Sequence, residues 1–290
     1  EPVCLRYRGY DVCGMGPPSS GALTVGQILG MLEHFEMRGI GPSPEAAHLF
    51  AEVSKLAYAD RELYMADSDF VQMPTKGLLD PSYLTVRAQK ISRSAAMDKA
   101  EPGNPPWRDA APWSPDGQTE RPGTSHFVIR DEEGNAVSMT TTIETGFGSR
   151  VMVRGFLLNN ELTDFSFLPS RKGWPIANRV QGGKRPRSSM APTIVLKDGK
   201  PVLLVGSPGG SRIINYVAQT LISILDWGMS PQAAINVGHV VNRNGATELE
   251  AGTDAADLKD ALIALGHEVR VRNLNSGLHA ILIHPDGVLL

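Results

Sequence analysis

A threonine follows a glycine at the point where a proline-rich stretch ends and a pair of strands begins. Strands are predicted over 125–130 and 136–143, with a short turn between them. In the register that this turn sets, Thr124 lies directly opposite Thr142, so two hydroxyls face each other across the pair. Breaking the Gly123–Thr124 bond would free an α-amine beside the Thr124 hydroxyl. That combination is the N-terminal threonine form of an activated nucleophile, although threonine is also common in ordinary strands.

A glycine-rich loop could supply the oxyanion-binding amides that such a nucleophile needs. Residues 206–212 stand between a predicted buried strand and a predicted helix, and the amides of Gly209 and Gly210 can point at an oxyanion near the positive end of that helix. A plain strand-to-helix turn also uses glycines, so the loop alone leaves both interpretations open. A serine hydrolase based on Ser207 fits less well, because Val205 occupies the position of the first glycine in the nucleophile-elbow motif.

The composition is typical of a globular protein and argues against several classes of function. The chain has 290 residues, 41% hydrophobic and 20% charged, and its 28 basic and 31 acidic residues give a net charge of −3. This balance argues against nucleic-acid binding, since the tightest basic cluster is the short run 184–187. No apolar run reaches the roughly 18 residues of a membrane span, and phosphate-cradling glycine motifs are absent. Because the chain opens on Glu1, we expect a processed or excised piece of a longer protein.

The first predicted element is a β-hairpin over 5–15, which ends in a run of glycine and proline. Both cysteines of the chain, Cys4 and Cys13, fall within or beside it. They are close enough in sequence to form a disulfide across the hairpin, but a single pair also fits two small buried thiols. The sequence leaves these two possibilities open.

Two helices are predicted after the hairpin. The first covers 24–37, and the second begins with Ser43 as its N-cap and a proline at the first helical position. His34 and His48 lie within these helices. We predict them to be surface or packed histidines rather than metal ligands, because neither shows a second ligand at metal-binding spacing.

The second half of the chain follows a stretch that no regular element can occupy. Residues 101–123 contain six prolines, each of which fixes φ and removes a backbone donor, so we predict an exposed connector. Because the elements beyond it come as runs of strands and runs of helices, a layered α+β fold is expected. These elements are strands over 194–197, 202–205, 269–271, 278–284 and 288–290 and helices over 211–226, around 231 and over 254–265.

Six motifs occur in the same order as in the small subunit of the γ-glutamyltranspeptidases, which this part of the chain resembles. They are Thr124-Ser125-His126-Phe127, Gly134-Asn135-Ala136-Val137-Ser138, Thr140-Thr141-Thr142-Ile143-Glu144, Leu158-Asn159-Asn160-Glu161-Leu162-Thr163-Asp164-Phe165, Lys184-Arg185-Pro186-Arg187-Ser188-Ser189-Met190 and Gly206-Ser207-Pro208-Gly209-Gly210-Ser211-Arg212. Upstream, the segments 7–10, 17–21 and 58–61 resemble the end of that family's large subunit.

The resemblance implies a fold and a division of the chain. The expected fold is α+β, the four-layer αββα arrangement of N-terminal-nucleophile hydrolases, present only in part because the upstream region of the large subunit is missing. Residues 1–100 would be the C-terminal part of the large subunit, 101–123 the connector that ends at the self-cleavage site, and 124–290 the catalytic region of the small subunit. A periplasmic or secreted location is implied as well, with a cytoplasmic one left open.

The resemblance also assigns roles to residues of this chain. Thr124 would be the nucleophile, Thr142 would hydrogen-bond it, and the amides of Gly209 and Gly210 would form the oxyanion hole. The remaining positions would hold the two charged ends of the substrate: Ser188 and Ser189 the α-carboxylate, and Glu144, Glu161 and Asp164 the α-amine. Carboxylates suit an ammonium, and hydroxyls suit a carboxylate, so the assignment is chemically consistent. Cleavage would fall between Gly123 and Thr124, and neither cofactor nor metal is expected.

The expected substrate is a γ-glutamyl amide such as glutathione, and the expected protein partners are large and small subunits cut from one precursor, with no nucleic acid and no membrane span. The acids Glu144 and Glu161 resemble a bacterial branch without a covering lid. The arginine that the family uses against the α-carboxylate lies in the missing region. Two alternatives stay open: a cephalosporin acylase acting on glutaryl groups, and an unprocessed or truncated fragment without activity.

Overall fold

The computed structural model describes residues 1–107, 113–117, 123–274, 276–284 and 286–290. The strands are β1 (Val3–Tyr7), β2 (Tyr10–Gly14), β3 (Thr124–Arg130), β4 (Ala136–Thr142), β5 (Met152–Val153), β6 (Phe156–Leu157), β7 (Ser170–Arg171), β8 (Trp174–Pro175), β9 (Thr193–Lys197), β10 (Lys200–Gly206), β11 (Val240–Val241), β12 (Thr247–Glu250), β13 (Val269–Arg272) and β14 (His279–Leu282). The α-helices are α1 (Gly21–Leu32), α2 (Pro44–Tyr64), α3 (Thr75–Leu78), α4 (Pro81–Ala88), α5 (Ile213–Leu225), α6 (Pro231–Asn236) and α7 (Lys259–Ala264). Short 3₁₀ helices cover Glu161–Asp164, Gly210–Arg212 and Asp254–Leu258.

A five-stranded antiparallel sheet organises the described residues, with the strand order β1-β2-β9-β10-β14. Helices α1 and α5 pack on this sheet and α2 packs on α1, so that their apolar side chains form one continuous core with β2, β9 and β10. Because residues from the first helices and from the strands after 190 share that core, residues 1–100 and the region after 124 fold as one layered unit. The predicted α+β class is thereby confirmed.

The first hairpin forms as the sequence predicts, and the two cysteines are bonded. Cys4 on β1 and Cys13 on β2 are direct cross-strand partners, and the structure joins them in a disulfide. Of the two possibilities that the sequence left open, the structure shows the disulfide rather than two buried thiols. The bond closes the hairpin at the edge of the central sheet, far in sequence from the residues that could do chemistry.

The helix start at Ser43 is confirmed, whereas the first helix is shifted from its prediction. The Ser43 side chain accepts from the amide of Ala46 and caps α2. Helix α1 begins at Gly21 rather than at residue 24 and ends at Leu32 rather than at 37. Its end follows from the tighter hydrogen bonds that His34 and Phe35 make to carbonyls three residues back, which close the helix in a 3₁₀ turn.

The hairpin β3–β4 has the register predicted from its turn. Thr124 is paired with Thr142, and Arg130 with Ala136. The hairpin packs on β10 and β14 as a further layer, so helices, sheet and hairpin form three successive layers. Its outer face is apolar yet exposed. The exposed residues there are Phe127, Ile129, Val137 and Met139.

Other predictions are corrected in detail. Residues 288–290, predicted as a strand, form an isolated bridge between Ile283 and Leu289, in which Leu290 exchanges backbone hydrogen bonds with Leu282. The predicted helix 254–265 divides into a 3₁₀ helix and the short α7. Of the predicted connector, residues 108–112 and 118–122 lie outside the described residues, while 113–117 pack against the rest of the protein. Among the helices that the structure describes, none combines the length and apolarity needed to cross a membrane.

One buried histidine makes the fold sensitive to acid. His239, beside β11, is 3% exposed and faces the hydroxyl of Ser276, and burial lowers its pKa to about 4. In the unfolded chain a histidine takes up a proton near pH 6.5, whereas folded His239 stays neutral until the pH nears 4. The stabilisation by neutral His239 is therefore complete above pH 6.5 and is lost as the pH falls toward 4.

We expect His239→Gln to reduce the pH dependence of stability. Between pH 7 and pH 5, the free energy of unfolding of the variant should fall by about 2 kcal/mol less than that of the wild type, because one histidine contributes about 1.4 kcal/mol per pH unit below 6.5. Urea denaturation at both pH values measures the difference. His34→Gln, at an exposed position, is the control and should retain the wild-type dependence. Equal pH dependence in His239→Gln and the wild type would contradict the assignment.

Candidate active site

The bond between Gly123 and Thr124 lies at the start of β3, within reach of a hydroxyl on β4. The Thr142 hydroxyl donates to the carbonyl oxygen of Gly123 at 2.6 Å and accepts from the amide of Glu144 at 2.8 Å. A donor on this oxygen polarises the carbonyl that an attack by the Thr124 hydroxyl would reach. Where a contact between Thr142 and Thr124 was predicted, the structure shows the Thr142 hydroxyl in contact with the carbonyl of Gly123.

Gly123 is a glycine because the chain passes very close to it. A Cβ atom at this position would lie 1.7 Å from the carbonyl oxygen of Glu144, which is backbone and cannot rotate away. Only a residue without a side chain lets the scissile carbonyl reach the Thr142 hydroxyl. This close approach was not predicted from the sequence, because it depends on the turn that follows β4.

The glycine loop after β10 takes a backbone conformation that other residues adopt rarely. Gly209 has φ = 139° and Gly210 has φ = 59°, and both are buried at the start of the 3₁₀ helix that leads into α5. The Ser207 hydroxyl is engaged inside the loop, since it donates to the Pro208 carbonyl at 2.7 Å and accepts from the Gly277 amide at 3.3 Å. This arrangement supports an oxyanion-binding loop rather than a serine nucleophile.

His126 fixes the hairpin on the beginning of that loop. It lies two residues after Thr124 on the same face of β3, and its ring atoms are 2.2 to 2.6 Å from where a Cβ on Gly206 would stand. Its Nδ1 is 2.8 Å from the Thr140 hydroxyl. Burial, together with nearby His279, lowers the pKa of His126 to about 4, so the ring is neutral near pH 7. Sequence reasoning passed over this residue, although it stands in the first motif.

Most of the predicted site residues line one narrow pocket beside Thr124, with a cavity volume of about 10 Å³. Predicted site residues in its wall are Thr124, Thr142, Glu144, Asp164, Ser188, Ser189 and Gly210. Gly209 precedes Gly210 in the loop. The carboxylate of Glu161 lies beside those of Glu144 and Asp164. The fold thus brings together residues from five separate motifs of the sequence.

Three carboxylates form the acidic end of the pocket. Oxygen atoms of Glu144, Glu161 and Asp164 all lie within 4.8 Å of one another, and the first and last of these residues are 5% and 8% exposed. Glu144 has φ = 73°, a left-handed conformation that a residue with a side chain adopts at a cost in energy. Like charges this close repel each other, so a cation in the pocket stabilises them. An ammonium group or a metal ion fits this donor set.

Two serines also line the pocket, and a buried arginine supports one of them. Ser188 and Ser189 are held beside the segment after β2, since the amide and hydroxyl of Ser20 both donate to the Ser188 carbonyl, at 2.8 and 2.7 Å. The guanidinium of buried Arg61 donates to the Ser189 hydroxyl at 2.5 Å and to the Ser20 hydroxyl at 2.8 Å. Arg61 was not predicted as a site residue, although the segment 58–61 carried part of the resemblance.

The side chains of the basic cluster 184–187, just before these serines, make contacts within the protein. Arg185 binds Asp67 through two nitrogens at 2.6 and 3.0 Å, and the Lys184 ammonium donates to the carbonyl of Ala177. Burial lowers the pKa of Lys184 to about 8. These contacts give the cluster a structural role.

A second group with metal-binding side chains lies away from the pocket, where His48, Glu52 and His267 come within 4.8 Å of one another. His48 Nε2 donates to the Ser92 carbonyl at 2.7 Å, so its Nδ1 accepts from His267 Nε2 at 2.7 Å. The Lys55 ammonium binds Glu52 at 2.8 Å and supplies the positive charge. His48 was predicted to be a surface or packed histidine, and the structure shows it packed, since it is fully buried. His267 could not be paired with it from sequence spacing.

Comparison with known proteins places this arrangement in a family. A sequence model described as Gamma-glutamyltranspeptidase matches residues 1–290. The glutathione hydrolase proenzyme of Bacillus subtilis (strain 168) is 41% identical over 278 residues, which cover 92% of this chain and 46% of that protein. The glutathione hydrolase proenzyme of Escherichia coli (strain K12) is 39% identical over 303 residues, covering 99% of this chain and 50% of that protein. The chain therefore spans about half the length of the curated relatives it matches.

The structure has a close counterpart of known function. A crystal structure of the cephalosporin acylase from Bacillus halodurans superposes with a TM-score of 0.85 at 27% identity, covering 100% of this chain and 50% of that one. This likeness confirms the expected fold of the N-terminal-nucleophile hydrolase type. The described residues contain a helical layer, the five-stranded sheet and the β3–β4 hairpin of that fold.

Proposed function

Because the chain belongs to the gamma-glutamyltranspeptidase family, we propose that it cuts itself at Gly123–Thr124 and then transfers or hydrolyses γ-glutamyl groups with Thr124 as the nucleophile. The observation that carries this proposal is the contact between the Thr142 hydroxyl and the Gly123 carbonyl, beside a pocket lined by both carboxylates and hydroxyls. The names of the relatives, which are proenzymes and hydrolases of glutathione, support it.

Self-cleavage would proceed as an acyl shift from nitrogen to oxygen. The Thr124 hydroxyl oxygen attacks the Gly123 carbonyl carbon, and its proton passes to the Thr124 nitrogen as the peptide bond breaks. The hydroxyl of Thr142 stabilises the negative charge that develops on the carbonyl oxygen. Water then hydrolyses the resulting ester, which leaves a carboxylate on Gly123 and a free amine and hydroxyl on Thr124.

Turnover would use the two groups that cleavage frees on Thr124. The amine takes the proton of the hydroxyl, through a water molecule, and the oxygen attacks the γ-carbonyl of the donor. The amides of Gly209 and Gly210 stabilise the oxyanion, and the proton moves to the departing amine. The γ-glutamyl ester on Thr124 is resolved by water or by the amine of an amino acid, which regenerates the free hydroxyl. None of these steps needs a cofactor.

The ends of the pocket would recognise the charged groups of the donor. Glu144, Glu161 and Asp164 hold the α-ammonium, which replaces their mutual repulsion with attraction. Ser188 and Ser189 hold the α-carboxylate, and Arg61 orients the second of these serines while adding positive charge behind it. An acyl chain that lacks the ammonium would make no charge-assisted hydrogen bond to these three carboxylates.

The division of the chain is part of the same proposal. Residues 1–100 would be the C-terminal part of the large subunit, 101–123 the connector that ends at the cut, and 124–290 the catalytic region of the small subunit. The exposed apolar face of the β3–β4 hairpin supports a large subunit that extends beyond residues 1–123, since apolar patches of this kind are usually covered by a partner. Both subunits would come from one precursor.

A second candidate function is cephalosporin acylase activity on glutaryl groups. The superposition on an acylase along the whole chain favours it, because the nucleophile and the oxyanion loop would serve either acyl group. The two candidates differ at the acidic end of the pocket. A glutaryl group has no ammonium, so the repulsion among the three carboxylates would oppose its binding.

We expect γ-glutamyl anilides to be cleaved faster than glutaryl anilides, and Glu144→Gln to lower kcat/KM for the γ-glutamyl donor by about 10- to 100-fold. The reason is the loss of a charge-assisted hydrogen bond, which contributes about 1.5–3 kcal/mol. The same change should affect glutaryl turnover less than about threefold, because that group has no ammonium to lose. Release of the chromogenic aniline measures both rates.

Glu132→Gln, an exposed substitution in the turn between β3 and β4, is the matched control and should leave both rates unchanged. Faster turnover of the glutaryl anilide by the wild type would reject the γ-glutamyl assignment and favour the acylase. No turnover of either donor by the cut protein would favour the inactive-fragment alternative.

A further inference from the structure

The connector that precedes the cut is held to the protein at residues 113–117. The Ser114 amide donates to the Pro175 carbonyl at 2.9 Å, and its hydroxyl to the Arg171 carbonyl at 2.8 Å. The Asp116 amide donates to the Glu62 carbonyl at 3.1 Å, at the end of α2. A stretch with so many prolines and no regular secondary structure is thus fixed by specific hydrogen bonds shortly before the scissile bond.

The strongest element of this attachment is a buried ion pair between Asp116 and Arg187. The Arg187 guanidinium lies 3.2 Å from the Asp116 carboxylate, and the side chains are 1% and 0% exposed. Asn178 binds both partners, because its side-chain amide donates to the Asp116 carboxylate at 3.1 Å and its side-chain oxygen accepts from the Arg187 amide at 2.9 Å.

Arg187 and Asn178 connect this ion pair to the pocket. Arg187 is followed in the chain by Ser188 and Ser189, which line the pocket. Asn178 also donates to the backbone carbonyl of Asp164 at 2.8 Å. A single buried network therefore joins the connector to the hydroxyl end and to the acidic end of the pocket.

A buried ion pair is poor evidence of stability alone, because apolar residues of similar volume often serve as well. A buried ion pair instead favours one geometry, because any other arrangement would separate a buried charge from its partner. Here the arrangement fixes the chain seven residues before Gly123. Restricting the ends of a short segment reduces the range of positions that the segment can sample.

We propose that Asp116 and Arg187 are positioning residues for self-cleavage. Their ion pair anchors the connector so that the Gly123 carbonyl remains at the Thr142 hydroxyl and within reach of the Thr124 oxygen. The inference rests on the proposed function, because it assumes the cut at Gly123–Thr124. After the cut, the anchor keeps the new end of the large subunit attached beside the pocket but takes no part in turnover.

The test compares rates of self-cleavage in two neutral double variants. In Asp116→Asn/Arg187→Met both charges of the anchor are removed together, so neither partner of the pair is left buried without the other. Cell-free synthesis of the whole protein, followed by mass spectrometry of the uncut fraction over time, gives the rate. We expect cleavage to slow about 10-fold, since small misplacements of reacting groups reduce rates steeply. Once cut, the variant should show wild-type kcat to within about twofold and an unchanged thermal midpoint.

The matched control is Asp67→Asn/Arg185→Met, which removes another ion pair from the same loop without touching the connector. It should cleave at the wild-type rate to within about twofold. Arg187→Lys retains a positive charge opposite Asp116 and should cleave faster than Asp116→Asn/Arg187→Met. If the double variant folds poorly, Arg187→Lys still tests the proposal.

Three outcomes would overturn the anchor: cleavage of Asp116→Asn/Arg187→Met at the wild-type rate, equal slowing in both double variants, or Arg187→Lys as slow as the neutral pair. In each case the wild type would still be cut, and the proposed function would stand. An uncut wild-type protein would instead reject the proposed function, and the anchor with it.

Discussion

Thr124→Ala is expected to remain a single uncut chain and to lose at least about 1,000-fold in turnover of a γ-glutamyl anilide. The substitution removes the oxygen that forms both esters, first with Gly123 and then with the donor, and loss of a nucleophile of this kind costs three or more orders of magnitude. Thr124 is the first residue of β3 and only partly buried, so deleting its hydroxyl and methyl group should leave the fold intact.

Thr124→Ser is the control for this result, because it retains a hydroxyl at the same place. It should be cut and should turn over the donor, at reduced rates, with the two fragments seen on a denaturing gel. Circular dichroism and thermal unfolding would show that both variants fold. Turnover by Thr124→Ala at a rate near that of the wild type would assign the chemistry to another residue.

Gly123→Ala is expected to slow self-cleavage at least about 100-fold. A Cβ on this residue would meet the Glu144 carbonyl oxygen at 1.7 Å, so one of the two backbone segments must move. Movement of the Gly123 carbonyl by about 1 Å would take it away from the Thr142 hydroxyl, and misplacement of that size costs about 100-fold in rate. The uncut fraction over time, measured by mass spectrometry, gives the effect.

Gly146→Ala supplies the comparison, because a Cβ there would meet nothing within 4 Å although the residue lies close in sequence to Glu144. It should be cut at the wild-type rate. Cleavage of Gly123→Ala as fast as Gly146→Ala would mean that the chain adopts another conformation at the scissile bond before it reacts.

Local rules accounted for the parts of the fold that depend on short stretches of sequence. The turn residues fixed the register that sets Thr124 opposite Thr142, and the Ser43 N-cap with its following proline set the start of α2. The start of α1 was misplaced because it depends on a tertiary contact. Ser20, just before the helix, is held by the carbonyl of Ser188, far away in sequence.

The candidate site was assembled from motifs whose roles came from resemblance, whereas its supporting contacts were not predictable. Arg61 and Ser189 are 128 residues apart, and only the packing of α2 against the loop before β9 makes them neighbours. The pairing of Asp116 with Arg187 likewise needs the folded connector. Sequence spacing predicts chemistry along one element, but contacts between distant elements follow from the fold as a whole.

The central claim is that Thr124 severs its own upstream peptide bond and then carries the acyl group on the freed residue. N-terminal sequencing of the active protein, combined with intact masses of its fragments, tests this most directly. One fragment should end at Gly123 and the other should begin Thr-Ser-His-Phe, and the second should gain the mass of a γ-glutamyl group when the reaction is quenched with donor present. An active preparation that is uncut, or cut at another bond, would contradict the account.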